Sequence, residues 1–288
     1  MASHEKRSRG RPRKDEGAAG QGSVQSLDRA IALLKLVSQG SGLSLTEVSG
    51  AAGLAPSTAY RMLTTLQQHG MVEFDEINQL WFVGVETFRM GTTFLRRRKL
   101  VERGRTVIQT LMQETGETAN LAVADEQAVV FVSQVETHEA IRAFFRPGTR
   151  SPYHASGIGK AILAYCDDAR VERLIAACGL QSFTAKTLAS PAALVADLAA
   201  IRQRGFAIDD EERNEGMRCV AAPVFNEFGE PIGGVSVSGP SVRVTAARVD
   251  TYGPRVRAAG QEITQAMGGR WPDPNASPPN ASPLNASP

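Results

Sequence analysis

Chemistry in this 288-residue chain has to come from a few clusters of polar side chains. The first lies in Ala55-Pro56-Ser57-Thr58-Ala59-Tyr60-Arg61-Met62-Leu63-Thr64-Thr65-Leu66-Gln67-Gln68. At helical spacing Ala59, Met62, Leu63 and Leu66 share one face, and Ser57, Thr58, Tyr60, Arg61, Thr64, Thr65 and Gln68 the other. The outer face carries hydroxyl, amide and guanidinium tips and no carboxylate, the groups that meet base edges and phosphates. The plainer alternative is a helical bundle whose polar face is merely wet. A second cluster, Arg9-Gly10-Arg11-Pro12, matches the core of an AT-hook, whose narrow ribbon lays arginines into an A·T-rich minor groove. A generic basic tail attracting phosphates explains Arg9 and Arg11 equally well.

Catalysis finds poorer material. Gly234-Val235-Ser236-Val237-Ser238-Gly239 puts Ser238 where a nucleophile elbow needs its second glycine. Gly157-Ile158-Gly159 lacks the third glycine of a dinucleotide loop, and no strand immediately precedes it. Cys219 with His154 is a conceivable nucleophile pair, but a cysteine in an apolar strand is more often core or ligand wall than reagent. Cys166, Cys178 and Cys219 show neither C-x-x-C nor nearby His spacing, and His138 has no metal-ligand companion. No catalytic residue, metal or cofactor is expected. A metabolite-binding enzyme and a plain interaction module stand as the alternatives to a DNA-binding regulator.

The elements that must position these clusters follow from composition and periodicity. With 42% apolar, 22% charged and 6% aromatic residues the chain is an average globular one, not collagen-like, disulfide-scaffolded or wholly disordered. No apolar run approaches the ~20 residues that span a bilayer, so a cytoplasmic protein without membrane contact is expected. Residues 1–99 carry 14 Lys/Arg against 9 Asp/Glu, and the remainder 18 against 21, which puts polyanion binding in the first third.

Residues 1–25 read as a basic arm too polar to fold alone. Leu27, Ile31, Leu34 and Val37 mark a first helix ending at Gly40; a second runs from Leu45 to Ala52; the Pro56 helix is the third. Met71–Phe74 and Leu80–Val83 flank a polar loop as a hairpin. Three helices and a hairpin over 26–84 are the parts of a winged helix-turn-helix. A linker helix follows over 85–99, with Phe88, Met90, Phe94 and Leu95 as candidate dimer contacts.

Over 100–270 the sequence predicts an α+β domain on a mostly antiparallel sheet. Its strands fall near Ala119–Ala124, Ala128–Val135, Ile141–Phe145, Arg218–Phe225 and Ile232–Ser238. Its helices fall over Gly157–Tyr165, Ala169–Cys178, Pro191–Gln203 and Thr245–Met267, the last broken at Gly253-Pro254. The tail, 271–288, repeats Asn-Ala-Ser-Pro and is expected to be disordered. One reading helix covers only a few base pairs, so a homodimer on a pseudo-palindromic operator is expected.

Four motifs in register carry a wider resemblance: the Ala55–Arg61 turn and helix, His154-Ala155-Ser156-Gly157-Ile158-Gly159-Lys160-Ala161, the segment from Asp209 to Cys219-Val220-Ala221-Ala222-Pro223, and Ser236-Val237-Ser238-Gly239-Pro240. Over roughly residues 24–268 the chain resembles the IclR family of bacterial transcription regulators. The resemblance implies an N-terminal winged helix-turn-helix, a linker helix, and a C-terminal GAF-like α+β domain that binds a small metabolite, in dimers or dimers of dimers. In members that bind glyoxylate or pyruvate, the matching motifs form the effector pocket; carried over, these are Gly157, Ile158, Asp209, Cys219, Ser236 and Ser238. Ile158 departs from the small residue often found there. The effector implied is a 2-oxo acid, glyoxylate first.

The residues make physical sense beside the resemblance. Ser156-Gly157-Ile158-Gly159 would open a helix whose unpaired N–H groups face a carboxylate. Lys160 in that first turn opposes the helix dipole, and a bound anion nearby would make it tolerable. Ser236 and Ser238, two apart on a strand, point the same way. Asp209 facing an anion needs a donor between them, which the geminal hydroxyls of hydrated glyoxylate supply and keto pyruvate does not. A solvated turn at Asp209-Asp210 is the alternative.

Overall fold

The structure, a computed structural model, describes residues 24–97 and 99–272, without the side chains of 94–97. The N-terminal arm with Arg9 and Arg11, and the Asn-Ala-Ser-Pro repeats, lie outside the described residues. The chain divides into two compact units, Met1–Phe94 and Leu95–Pro288.

In the first unit, α1 (Gln25–Gln39), α2 (Leu45–Ala51) and α3 (Pro56–Gln68) precede an antiparallel hairpin of β1 (Val72–Asp75) and β2 (Leu80–Val83). Local chemistry explains the boundaries. Ser44 and Glu47 form a reciprocal capping box at the start of α2, and Pro56 opens α3 where its missing N–H costs nothing. Gly70, at a left-handed φ of 66°, turns the chain out of α3. Leu33, Val37, Val48, Ala59, Leu63, Val72 and Trp81 are buried together.

The inward stripe of α1 therefore runs through Leu33 and Val37, whereas Leu27 and Ile31, expected on it, are exposed. Trp81 packs on Phe74 and exchanges both backbone hydrogen bonds with Leu43, tying the hairpin to the loop before α2. The linker helix α4 (Val85–Arg97) exposes Phe88 and Met90.

In the second unit six antiparallel strands lie in the order β5-β4-β3-β8-β7-β6. They are β3 (Thr118–Ala124), β4 (Val129–Val135), β5 (Arg150–Ser151), β6 (Ala207–Asp210), β7 (Met217–Phe225) and β8 (Pro231–Pro240). Alternation assigns the faces. Ala119, Leu121, Val220, Ala222, Val235 and Val237 pack under α5 (Leu100–Thr115) and α9 (Ala246–Ala266). The opposite face, with Ala122 and Ala221, packs under α6 (Gly157–Leu163), α7 (Asp168–Cys178) and α8 (Pro191–Arg204).

Three expectations are corrected. Residues 141–145 form no strand: Ile141 and Phe144 face solvent, while Phe145 turns inward and stacks on Phe131 at 4.5 Å. An apolar run is not a strand unless a neighbour accepts its hydrogen bonds. Next, α9 is not broken at Gly253-Pro254 but continues through Pro254. Val249, Tyr252, Val256, Ala259 and Ile263 are buried in one cluster, and a Cβ at Gly253 would lie 2.3 Å from the Phe206 ring, so packing holds the helix against its missing hydrogen bond. Finally, α5, β5 and β6 occupy stretches where periodicity had marked no element. Among the described residues no helix is long and apolar enough to cross a membrane.

Candidate functional site

On the second unit's sheet the register builds a polar row. Asp209 on β6 pairs with Cys219 on β7, and Cys219 with Ser238 on β8. Ser236, two residues earlier on the same face, pairs with Ala221. Above this row sits the start of α6. Glycine is required there: a Cβ at Gly157 would stand 2.8 Å from the Cys219 Sγ, and one at Gly159 2.3 Å from the Tyr153 carbonyl oxygen. The Ser156 Oγ accepts from Gly159 N, and Lys160 N donates to the Ser156 carbonyl. The N–H groups of Gly157 and Ile158 keep no partner among the described residues, as a first helical turn dictates.

These pieces enclose a cavity of about 30 Å³. Gly157, Ile158, Asp209, Cys219, Ser236 and Ser238 all line it, so the structure brings together the six residues the motif match named. It adds Phe131 and Phe145 as an aromatic wall, and Arg213 and Arg218, two arginines inside the Asp209–Cys219 segment that the motif match did not single out. Arg218 is occupied, its Nε donating to Asp210 at 2.7 Å. Arg213 has no acidic partner among the described residues; its guanidinium lies 3.9 Å from the centre of the Phe183 ring. No sequence signal separates Arg213 from the charges around it.

Burial sets the electrostatics. The Asp209 carboxyl is pushed up to about 6, chiefly by desolvation, although Glu212 N donates to its Oδ1 at 2.9 Å and Lys160 pulls the other way. Glu212 is pushed up to about 7 by the same cause. Cys219 is pushed up to about 12, chiefly by burial with Asp209 adding to it, so it is a thiol at neutral pH and no nucleophile. His154 is not its base: its Nε2 meets the Gln181 carbonyl at 2.9 Å, and its ring lines a separate cavity with Cys178.

Lys160 needs no ligand. It is 1% exposed and donates to Asp197 at 2.7 Å and to Glu212 at 2.6 Å, two carboxylates that replace the anion expected to make it tolerable. Asp209 lies in β6 beside the cavity, not in a solvated turn. Among the described residues no cluster of His, Cys, Asp or Glu is placed to hold a metal ion.

In the first unit the outer face of α3 is open. Ser57, Arg61 and Thr65 are exposed, Thr58 is half-buried, and Tyr60 is half out of the surface with its ring edge against Trp81. Thr58, Arg61 and Thr65 border a groove of about 480 Å³ between α1 and α3. The Thr65 hydroxyl donates to the Arg61 carbonyl at 3.0 Å, which leaves its oxygen as an acceptor. Thr64 departs from the expected face: its Oγ1 is shut away from solvent with no partner among the described residues, because its position on α3 turns toward the body of the unit.

A presented helix in one unit and, in the other, a small cavity whose polar row surrounds a protonated thiol suit recognition at both ends and chemistry at neither, the marks of a DNA-binding regulator that answers to a small molecule. Comparison with known proteins agrees. The profile described as "IclR helix-turn-helix domain" matches residues 26–76, and "Bacterial transcriptional regulator IclR C-terminal" matches 92–265. The HTH-type transcriptional regulator BhcR of Paracoccus denitrificans is 49% identical over 92% of this chain and 96% of its own length. The transcriptional repressor IclR of Escherichia coli is 40% identical over 91% and 96%. The crystal structure of IclR from Thermotoga maritima superposes with a TM-score of 0.72 at 27% identity, covering 84% of this chain and 98% of that one.

The chain belongs to the IclR family of bacterial transcriptional regulators. It is a regulator with a helix-turn-helix DNA-binding domain and a C-terminal effector-binding domain, and not an enzyme.

Proposed function

We propose that the chain is a homodimer, or dimer of dimers, that grips a pseudo-palindromic operator through Ser57, Thr58, Tyr60, Arg61 and Thr65, with Arg9 and Arg11 trailing onto the backbone or minor groove, and that a 2-oxo acid, glyoxylate first, modulates the grip from the cavity of the second unit. The observation that carries the effector reading is the row Asp209–Cys219–Ser238 lying under the N–H groups of Gly157 and Ile158, which have no partner among the described residues. Those N–H groups and the two serines offer donors to a carboxylate, and Asp209 offers an acceptor to a hydrated carbonyl. A cavity of only about 30 Å³ favours a small acid over a bulky one. An acid that binds one arrangement of the second unit better than another shifts the population through α4, the helix that spans the boundary between the units in the chain.

The test is mobility shift on DNA upstream of neighbouring genes, with and without glyoxylate and pyruvate, alongside calorimetry of each acid. DNA affinity that changes with an acid supports the reading, and turnover of the acid refutes it. Asp209→Ala should cost glyoxylate more affinity than pyruvate; equal losses remove the hydrate from the argument.

A further inference from the structure

The two cavity serines share a neighbour that does not line the cavity. Asn120 sits on β3 directly opposite Ser236 and is wholly buried. Its Nδ2 donates to the Oγ atoms of Ser236 and Ser238, each at 3.4 Å, and its Oδ1 accepts from Nε2 of Gln134 at 2.9 Å. Gln134 is the residue opposite Asn120 on β4. A polar row Gln134–Asn120–Ser236 therefore crosses three strands on the cavity side of the sheet.

A serine hydroxyl both donates and accepts, so alone it does not discriminate the charge of what it meets. Donation from Asn120 takes one of the two acceptor sites on each oxygen and turns each O–H away from the amide, toward the cavity. The acceptor beside them in the protein is the Cys219 sulfur, a weak one. A carboxylate or carbonyl oxygen entering the cavity is far stronger. We propose that Asn120, held in its orientation by Gln134, is a positioning residue that makes Ser236 and Ser238 donors, and so sets the preference of the cavity for an anionic, acceptor-rich ligand. The inference rests on the effector reading given above.

Two substitutions reverse the polarity by different routes. Asn120→Asp keeps the shape but, once ionised, only accepts, so both serine protons turn back toward it, an effect that titrations at about pH 8 bring out most fully. Gln134→Glu acts one residue further out, at a half-buried position. A carboxylate there demands an N–H, the Asn120 amide turns over, and its Oδ1 takes the serine protons. Pyruvate and glyoxylate are titrated into the full chain by calorimetry, with circular dichroism and melting to confirm folding. Each variant is expected to bind both acids about tenfold more weakly or worse.

In a Ser236→Ala/Ser238→Ala background the same two changes are expected to cost less than about twofold further, because no hydroxyl remains to be turned. Wild-type affinity in a folded variant of the serine-bearing chain overturns the proposal. So does an equal loss in the serine-free background, which is the signature of charge repulsion or distortion. Should Asn120→Asp fail to fold, Gln134→Glu carries the same decision. A wild-type chain that binds neither acid refutes the effector reading itself and this inference with it; a wild-type chain that binds beside unaffected variants refutes this inference alone.

Discussion

The α3 face and the cavity under α6 solve recognition in opposite ways. On α3 the polar groups stand in water: Arg61 has no acidic partner on its helix, and its charge is available to whatever approaches. Under α6 they stand out of water, so Asp209, Glu212 and Cys219 are all pushed above their usual ranges by desolvation. An exposed charge is screened within about 10 Å at 0.1 M salt, whereas a buried one is screened little. The first region should therefore respond to ionic strength, and the second to pH.

The largest expected effect is in the second region. Lys160→Met leaves Asp197 and Glu212 facing each other without their shared cation, and should destabilise that unit by about 3–5 kcal/mol in urea unfolding followed by a probe in that unit. A loss below about 1 kcal/mol would show the triad to be ornamental to the fold. Next comes Arg61→Ala, which should weaken operator binding in mobility shifts by about 1–3 kcal/mol. A phosphate contact there also flattens the salt dependence, while a base contact relaxes specificity at one position. Unchanged affinity would detach Arg61 from the DNA.

Asp209→Asn is smaller and tests the pH side of the contrast. The folded carboxyl titrates at about 6 against an ordinary 3.8, so the folded state holds the proton more tightly, and ionising this group costs stability as pH rises through that window. The acid-free variant should melt above wild type at pH 7.5, by the equivalent of about 1–2 kcal/mol, and the gain should vanish near pH 4. A gain that grows on acidification contradicts the sign. Smallest is Thr64→Val, which removes a buried hydroxyl that has no partner among the described residues. It should be neutral or stabilising by up to about 1 kcal/mol with DNA affinity unchanged; weakened DNA binding would return Thr64 to the reading face.

Legibility also differs between the regions. The winged helix-turn-helix was readable because its signals are local: Pro56 and Gly70 bracket α3, and apolar residues recur at about 3.6. Even there, which apolar residues of α1 point inward depended on what packed against them: Leu34 and Val37 of the expected stripe meet the core, Leu27 and Ile31 do not, and Leu33 joins it. In the second unit the motifs named six of the cavity residues, but Arg213, inside the Asp209–Cys219 segment, was not singled out. The partners of Lys160 lie 37 and 52 residues away, beyond any local pattern.

What the residue order determined by itself was the kind and approximate place of most elements, the glycines that α6 needs, and the family, since periodicity, caps and short motifs act within a turn or two of chain. Only the tertiary structure decided that Asp209, Cys219 and Ser238 form one row, that Asn120 stands behind the serines, that Lys160 is neutralised from within, and that α9 passes unbroken through Pro254. Strand register and packing between distant segments set those relations, and both are free energies of the whole fold that no short stretch of sequence contains.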